Sequence, residues 1–149
     1  RGTIEAGHTW EPYITQLVKA KMRVLFTSKQ TPGLISDVIA FQSAVVRDRP
    51  AEVHAFLRAW DQAVRYWQEH PEEGTAIISR VTHVPIDTIS LDGVRLLGLS
   101  DNQEVFNPQN QDSLYHTAKL YSDFYLRKGS LTRPIDVEEL LDASFLKSP

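Results

Sequence analysis

The residues best suited to hold a small molecule form one run, His8-Thr9-Trp10-Glu11-Pro12-Tyr13. An indole face beside a carboxylate can grip a small polar ligand: the ring covers apolar surface and the carboxylate accepts from an amine or a ring N–H. The run follows a short alternating stretch, Thr3-Ile4-Glu5-Ala6-Gly7, which predicts a strand over Thr3–Ala6. It opens an amphipathic segment in which Ile14, Leu17 and Val18 share a face, predicting a helix over Glu11–Ala20. Pro12 fits the first helical turn, where its missing N–H would have no partner. A strand passing through Gly into such a helix is the connection at which α/β proteins place ligands. The same residues have a purely structural use, with Trp10 as a core anchor and Glu11 complementing the helix N-terminus. His8 can bond a ligand or a neighbouring carbonyl, and Thr9 is its neighbour in the run.

Other chemistry finds little support. The five histidines stand at 8, 54, 70, 83 and 116, with no i, i+4 pair and no HExxH pattern, so no metal site is expected. There is no GxSxG or Walker pattern and no cysteine, which removes thiolate catalysis and disulfides. Asp61 and Asp123 read as solvated helix-surface charges, and no carboxylate pair stands out for acid–base work. No cofactor and no catalytic residue is expected. The net charge of −3 argues against a nucleic-acid partner. No run of 18 apolar residues occurs.

The 149 residues suffice for one ordinary domain. Met22–Phe26 reads as a second strand, too apolar in series to be exposed on both faces. Ser28 to Gly33 is turn-rich, and Asp37–Val46 reads as a third strand. From residue 50 the pattern turns helical. Pro50 opens a helix reaching about His70, striped by Val53, Phe56, Leu57, Trp60, Ala63, Val64 and Trp67. Trp60 and Trp67 are core positions on that stripe. Pro71 starts a helix over Glu72–Val81 with Ala76, Ile77 and Val81 inward, and a short helix is expected over Thr88–Leu91. Ser100 and Gln103 have capping-box spacing. A helix over Asp112–Lys128 is expected to turn Leu114, Ala118, Tyr121, Phe124 and Tyr125 inward and to stop at Gly129. Val137–Leu141 makes a last short helix before Phe145-Leu146.

Taken in order, several pieces resemble one family. They are Gly2-Thr3-Ile4-Glu5-Ala6, Trp10-Glu11-Pro12-Tyr13, Val24-Leu25-Phe26-Thr27-Ser28, Pro32-Gly33 and Asp37-Val38-Ile39. They continue with Arg49-Pro50-Ala51-Glu52-Val53, Phe56-Leu57-Arg58-Ala59-Trp60, His70-Pro71-Glu72-Glu73, and the ending from Pro134-Ile135-Asp136-Val137 to Phe145-Leu146. This series is similar to the periplasmic solute-binding proteins of ABC transporters that serve nitrate, sulfonates, taurine and thiamine-pyrimidine precursors.

The resemblance implies an α/β class: the C-terminal portion of a two-lobed type II periplasmic-binding-protein fold, helix-rich with few strands. Residues 1–36 would be the end of the second lobe and the crossover, and 37–149 the returning part of the first lobe, one strand plus helices. Family members run to roughly twice this length. The chain starts at Arg1-Gly2-Thr3, almost inside its first strand, so a fragment is expected, completed by a missing N-terminal half or by a second copy. The likeness further implies a small-molecule solute in an interlobe cleft, a membrane permease as partner, and a periplasmic or extracellular location, with membrane association compatible. It makes Trp10 and Glu11 ligand contacts, with Thr9 and His8 beside them. Two alternatives share the fold: the sensing domain of a membrane receptor, and a pyrimidine-precursor synthase, for which His8 would be the candidate reactive residue.

Overall fold

Seven α-helices occur among the described residues, which in this computed structural model are 5–11, 13–90 and 93–147. They are α1 (Tyr13–Lys19), α2 (Ser43–Asp48), α3 (Pro50–Glu69), α4 (Pro71–Thr82), α5 (Leu99–Val105), α6 (Leu114–Arg127) and α7 (Val137–Leu140). Short 3₁₀ turns lie at Ser28–Gln30, Ile86–Thr88 and Ser144–Leu146. The chain divides into two compact units, residues 1–27 with 66–95 and residues 28–65 with 96–149.

In the second unit the organising element is the stripe of α3. Val53 and Val64, both on it, are the only buried apolar side chains among the described residues. Phe56 meets Phe41 edge-on, with ring centroids 5.5 Å apart at 84°. The Trp60 indole donates from Nε1 to the Leu97 carbonyl at 3.1 Å, so it is tied down through its polar tip, while the ring stays partly in solvent and is not the core position that the stripe predicts. Asp61 corrects its sequence reading. Its Oδ1 accepts from the Leu99 N–H at 2.8 Å, at the start of α5, and its Oδ2 pairs with Arg65 at 3.0 Å. A helix start leaves N–H groups unpaired, and here a carboxylate from another helix takes one of them. The cap of α5 is therefore Gly98, whose N–H donates to Asp101 at 3.1 Å, and not Ser100, which lies inside the helix.

In the first unit, residues 66–69 of α3 lead into α4, which Pro71 opens at a position needing no N–H. The Trp67 indole lies close against Gly74, and its Nε1 donates to Thr75 Oγ1 at 3.3 Å. The buried position of α4 is thus Gly74, while Ala76 and Val81, expected inward, are exposed. A Cβ at Gly74 would stand 2.4 Å from Trp67 Cδ1, far inside van der Waals contact. Gly74→Ala is therefore expected to lose stability by about 1–3 kcal/mol through overpacking, despite alanine's better helix propensity. The denaturant midpoint measures this, and an unchanged or raised midpoint would contradict the close packing.

The buried face of α6 also differs from expectation. Its inward residues are small and polar: Ser113, which accepts the His116 N–H at 3.3 Å, Thr117 and Ser122. Thr117 Oγ1 donates to the Gly33 carbonyl at 2.8 Å, and Ser122 Oγ accepts from the Ile135 N–H at 3.0 Å. Both contacts bring backbone close to the helix, which only short side chains allow. Tyr121, Phe124 and Tyr125 are consequently on the partly exposed side, with Tyr121 donating its hydroxyl to the Leu34 carbonyl at 3.0 Å. Asp123 pairs with Lys119 at 3.1 Å. The helix ends as Gly129 predicts. Its φ is +72°, and the N–H groups of Ser130 and Gly129 return to the carbonyls of Tyr125 and Leu126.

The expected strands are the main correction. No strand occurs among the described residues. Met22–Phe26 is irregular, and Asp37–Val46 divides into irregular chain up to Gln42 followed by α2 from Ser43. Thr3 and Ile4 lie outside the described residues. A strand needs a neighbour to receive its N–H and C=O groups. Without a ladder, Ser43–Asp48 satisfies its backbone locally as a helix, and residues 22–26 and 35–39 leave large apolar side chains in solvent. Elsewhere the turn expected as a helix at Thr88–Leu91 is a 3₁₀ turn over Ile86–Thr88. No helix among the described residues is long and apolar enough to cross a membrane.

Candidate functional site

The run from His8 to Tyr13 stands in the first unit, and α1 positions its second half. The Trp10 carbonyl accepts from the N–H groups of Tyr13 and Ile14 at 2.9 and 3.1 Å. It thereby pins Trp10 to the first turn of the helix. Three residues later Tyr13 comes up on the same side, as helical spacing requires. The two rings meet edge to face, with centroids 6.3 Å apart at 83°, and His8 tilts against Trp10 at 6.2 Å and 52°. Such pairs fall in the favourable range for aromatic contacts. The cluster is open: Trp10 is 63% exposed, and His8 and Tyr13 are exposed as well. Trp10 is therefore not the core anchor of the structural reading. Thr9 is half-buried, and Pro12 lies outside the described residues.

Glu11 is half-buried and engaged. Its Oε2 accepts from Thr15 Oγ1 at 2.8 Å and from the Thr15 N–H at 3.3 Å. It serves the helix start, as the structural reading proposed, through one oxygen only. The Thr15 contact was missed in the sequence, although an acceptor at i and a hydroxyl at i+4 mark it. At its other end α1 closes with Lys21 at φ +64°. The N–H groups of Met22 and Lys21 return there to the carbonyls of Leu17 and Val18. The short helix is thus tied at both ends.

The structure joins His8, Trp10 and Tyr13 through ring contacts and places the Glu11 carboxylate beside them in sequence. What this arrangement offers chemically is three ring faces with one acceptor: stacking area, attraction for a cation at a ring face, and a charged hydrogen bond. Among the described residues, no group of three or more His, Cys, Asp or Glu is placed to hold a metal ion. A shallow open pocket of about 450 Å³ lies at Pro71, Glu72, Thr75 and Ile86, away from this run in the sequence. Its short polar lining offers one carboxylate and one hydroxyl.

Trp60 and Trp67 have their indole N–H groups committed to Leu97 and Thr75. Of the three tryptophans, only Trp10 is therefore expected to respond to a solute. The fluorescence change that these three tryptophans show on solute addition should vanish in Trp10→Phe. A response that persists undiminished in that variant would assign it to Trp60 or Trp67 instead.

The comparisons with known proteins agree with the series of motifs. The family described as NMT1/THI5 like matches residues 2–74, just under half of the chain, which include the run from His8 to Tyr13 and all of α3. A Bacillus subtilis (strain 168) protein described as an aliphatic sulfonates-binding protein is 24% identical over 147 residues. That match takes in 98% of this chain and 42% of the relative, so the chain spans about two fifths of the relative's length. No solved structure matches. The matches and the ordered motifs thus agree: the chain is similar to the NMT1/THI5-like family over residues 2–74 and, over nearly its whole length, to a protein described as binding aliphatic sulfonates.

Proposed function

We propose that this chain belongs to the substrate-binding component of an ABC-type importer, capturing a small polar solute and delivering it to a membrane permease. The observation that carries the reading is the relationship, over nearly the whole chain, to a protein described as binding aliphatic sulfonates. The aromatic cluster at His8, Trp10 and Tyr13 supports it, because exposed rings beside a carboxylate are costly to keep unless something covers them. On this reading the protein performs no chemistry: closure around the solute is the whole of its work, and it acts outside the cytoplasm. Residues 1–36 close one lobe and cross over, residues 37–149 return to the other, and the solute lies in the cleft between lobes. His8, Thr9, Trp10 and Glu11 line that cleft. The Glu11 carboxylate suits a solute with an amine or ring N–H donors better than bare nitrate or a simple sulfonate.

Calorimetry on the full chain, meaning the two-lobed protein that this reading requires, against nitrate, alkanesulfonates, aminoalkanesulfonates and aminopyrimidines tests the reading. One class should bind in the micromolar range or tighter without being turned over. Absence of binding across all four classes, or conversion of any of them, would sink it.

A further inference from the structure

We infer that Thr117 and Tyr121 clamp the connection between the lobes to α6, so that Gly33 is a fixed anchor of that connection and not its pivot. This rests on the reading of residues 1–36 as the end of one lobe and the crossover. The residues of the clamp all lie within the second compact unit, residues 28–65 with 96–149. Hinges are a few residues that absorb large φ/ψ changes, and they are often small. Gly33, at φ +72°, has the outward marks of one. Its hydrogen bonds argue the opposite. The Gly33 carbonyl accepts from Thr117 Oγ1 at 2.8 Å and from Ser36 Oγ at 3.3 Å. The next carbonyl, that of Leu34, accepts from the Tyr121 hydroxyl at 3.0 Å.

Residues four apart are neighbours on one face of a helix, so Thr117 and Tyr121 act as a pair. In an extended chain successive residues face opposite ways. The left-handed turn at Gly33 breaks that alternation, and two consecutive carbonyls meet the same helix face. The Leu34 N–H returns to the Thr31 carbonyl at 3.2 Å and folds the segment on itself. Thr117 is buried, where a lost hydroxyl leaves a carbonyl short of a donor. Gly33 also has little room to move. A Cβ there would stand 3.1 Å from the Asp112 carbonyl oxygen. Glycine is thus required by a positive φ and a close approach, and not by mobility. Within this connection, movement is left to the residues before Thr31.

The test uses the two-lobed protein without solute and reads two quantities. Amide hydrogen exchange over residues 31–36 reports the clamp. Spin-label distances between Lys19→Cys and Arg58→Cys, both at exposed positions and one in each lobe, report movement between lobes. Tyr121→Phe and Thr117→Val keep the shape of each side chain and remove its hydroxyl. Each should speed the exchange about 2- to 13-fold, the loss of one hydrogen bond, and broaden the distance distribution. Gly33→Ala separates anchor from pivot. Alanine in place of a glycine pivot restricts the backbone and would narrow the distribution. At an anchor it crowds the Asp112 carbonyl and pries the segment from α6, so the distribution should broaden, with faster exchange and a lower melting temperature. Unchanged exchange in Tyr121→Phe and Thr117→Val, or an unchanged or narrower distribution in Gly33→Ala alone, overturns the clamp and leaves the two-lobed reading standing. Faster exchange with unmoved distances in all three variants overturns the crossover reading, and the inference with it.

Discussion

Replacing Glu11 by alanine in the full chain is expected to weaken solute binding by about 10- to 150-fold. A charged hydrogen bond is worth about 1.5–3 kcal/mol, and each 1.4 kcal/mol is a factor of ten in affinity. The variant also releases the Thr15 hydroxyl and N–H from Oε2. That loss resembles the removal of a helix cap, about 1 kcal/mol of stability, and it falls on a seven-residue helix with no fully buried side chain. The fold should therefore survive with a small drop in melting temperature. Trp10→Ala is expected to weaken binding less, about 2- to 13-fold, from an aromatic contact of about 0.5–1.5 kcal/mol. It should leave stability nearly unchanged, because the indole is 63% exposed and buries little. Isothermal titration gives the affinities and thermal unfolding the stabilities. Normal binding by both variants would put the solute elsewhere on the molecule.

That contrast between binding and stability also explains what the sequence could reveal. Helices declare themselves through local signals, and those were legible. Pro50 and Pro71 mark the starts of α3 and α4, the 3,4-spaced stripe marks the length of α3, and Gly129 marks the end of α6. Which face of a helix is buried depends on what arrives from elsewhere in the chain. The stripe of α6 looked aromatic, yet the backbone at Gly33 and Ile135 approaches through Thr117 and Ser122. Asp61 looked solvated, yet it serves α5, 38 residues away in sequence. Strands are the extreme case, since a strand is defined by its neighbour. Met22–Phe26 and Asp37–Val46 carry β-branched and aromatic residues in series, and no described segment lies alongside to pair with them. At the site, residue types were legible and their division of labour was not. The single-oxygen engagement of Glu11 by Thr15 depends on the geometry of one helical turn.

A polypeptide of these 149 residues alone is expected to self-associate and to bind no solute as a monomer. The argument is one of exposure. Val53 and Val64 are the only buried apolar side chains among the described residues, and Leu25, Val38, Ile35 and Phe26 stand 60–81% exposed. Each large apolar side chain left in water forgoes roughly 1.5–3 kcal/mol, against a typical net stability of about 5–15 kcal/mol for a whole domain. A chain with this surface gains more from covering it than from staying single. The exposed residues lie in irregular segments whose N–H and C=O groups are free to pair with an incoming strand, and such segments are where unwanted association starts. Two partners can cover them: more polypeptide, of which the sulfonate-binding relative has a further 58% outside the matched region, or a second copy exchanging the same segments. Size-exclusion chromatography with light scattering, run beside calorimetry, separates the outcomes. Dimers or larger species of the isolated 149 residues, silent toward every solute that the full chain binds, are the expected result. A well-behaved monomer that binds solute as tightly as the full chain would show that these residues close a site unaided, and would overturn the two-lobed reading with it.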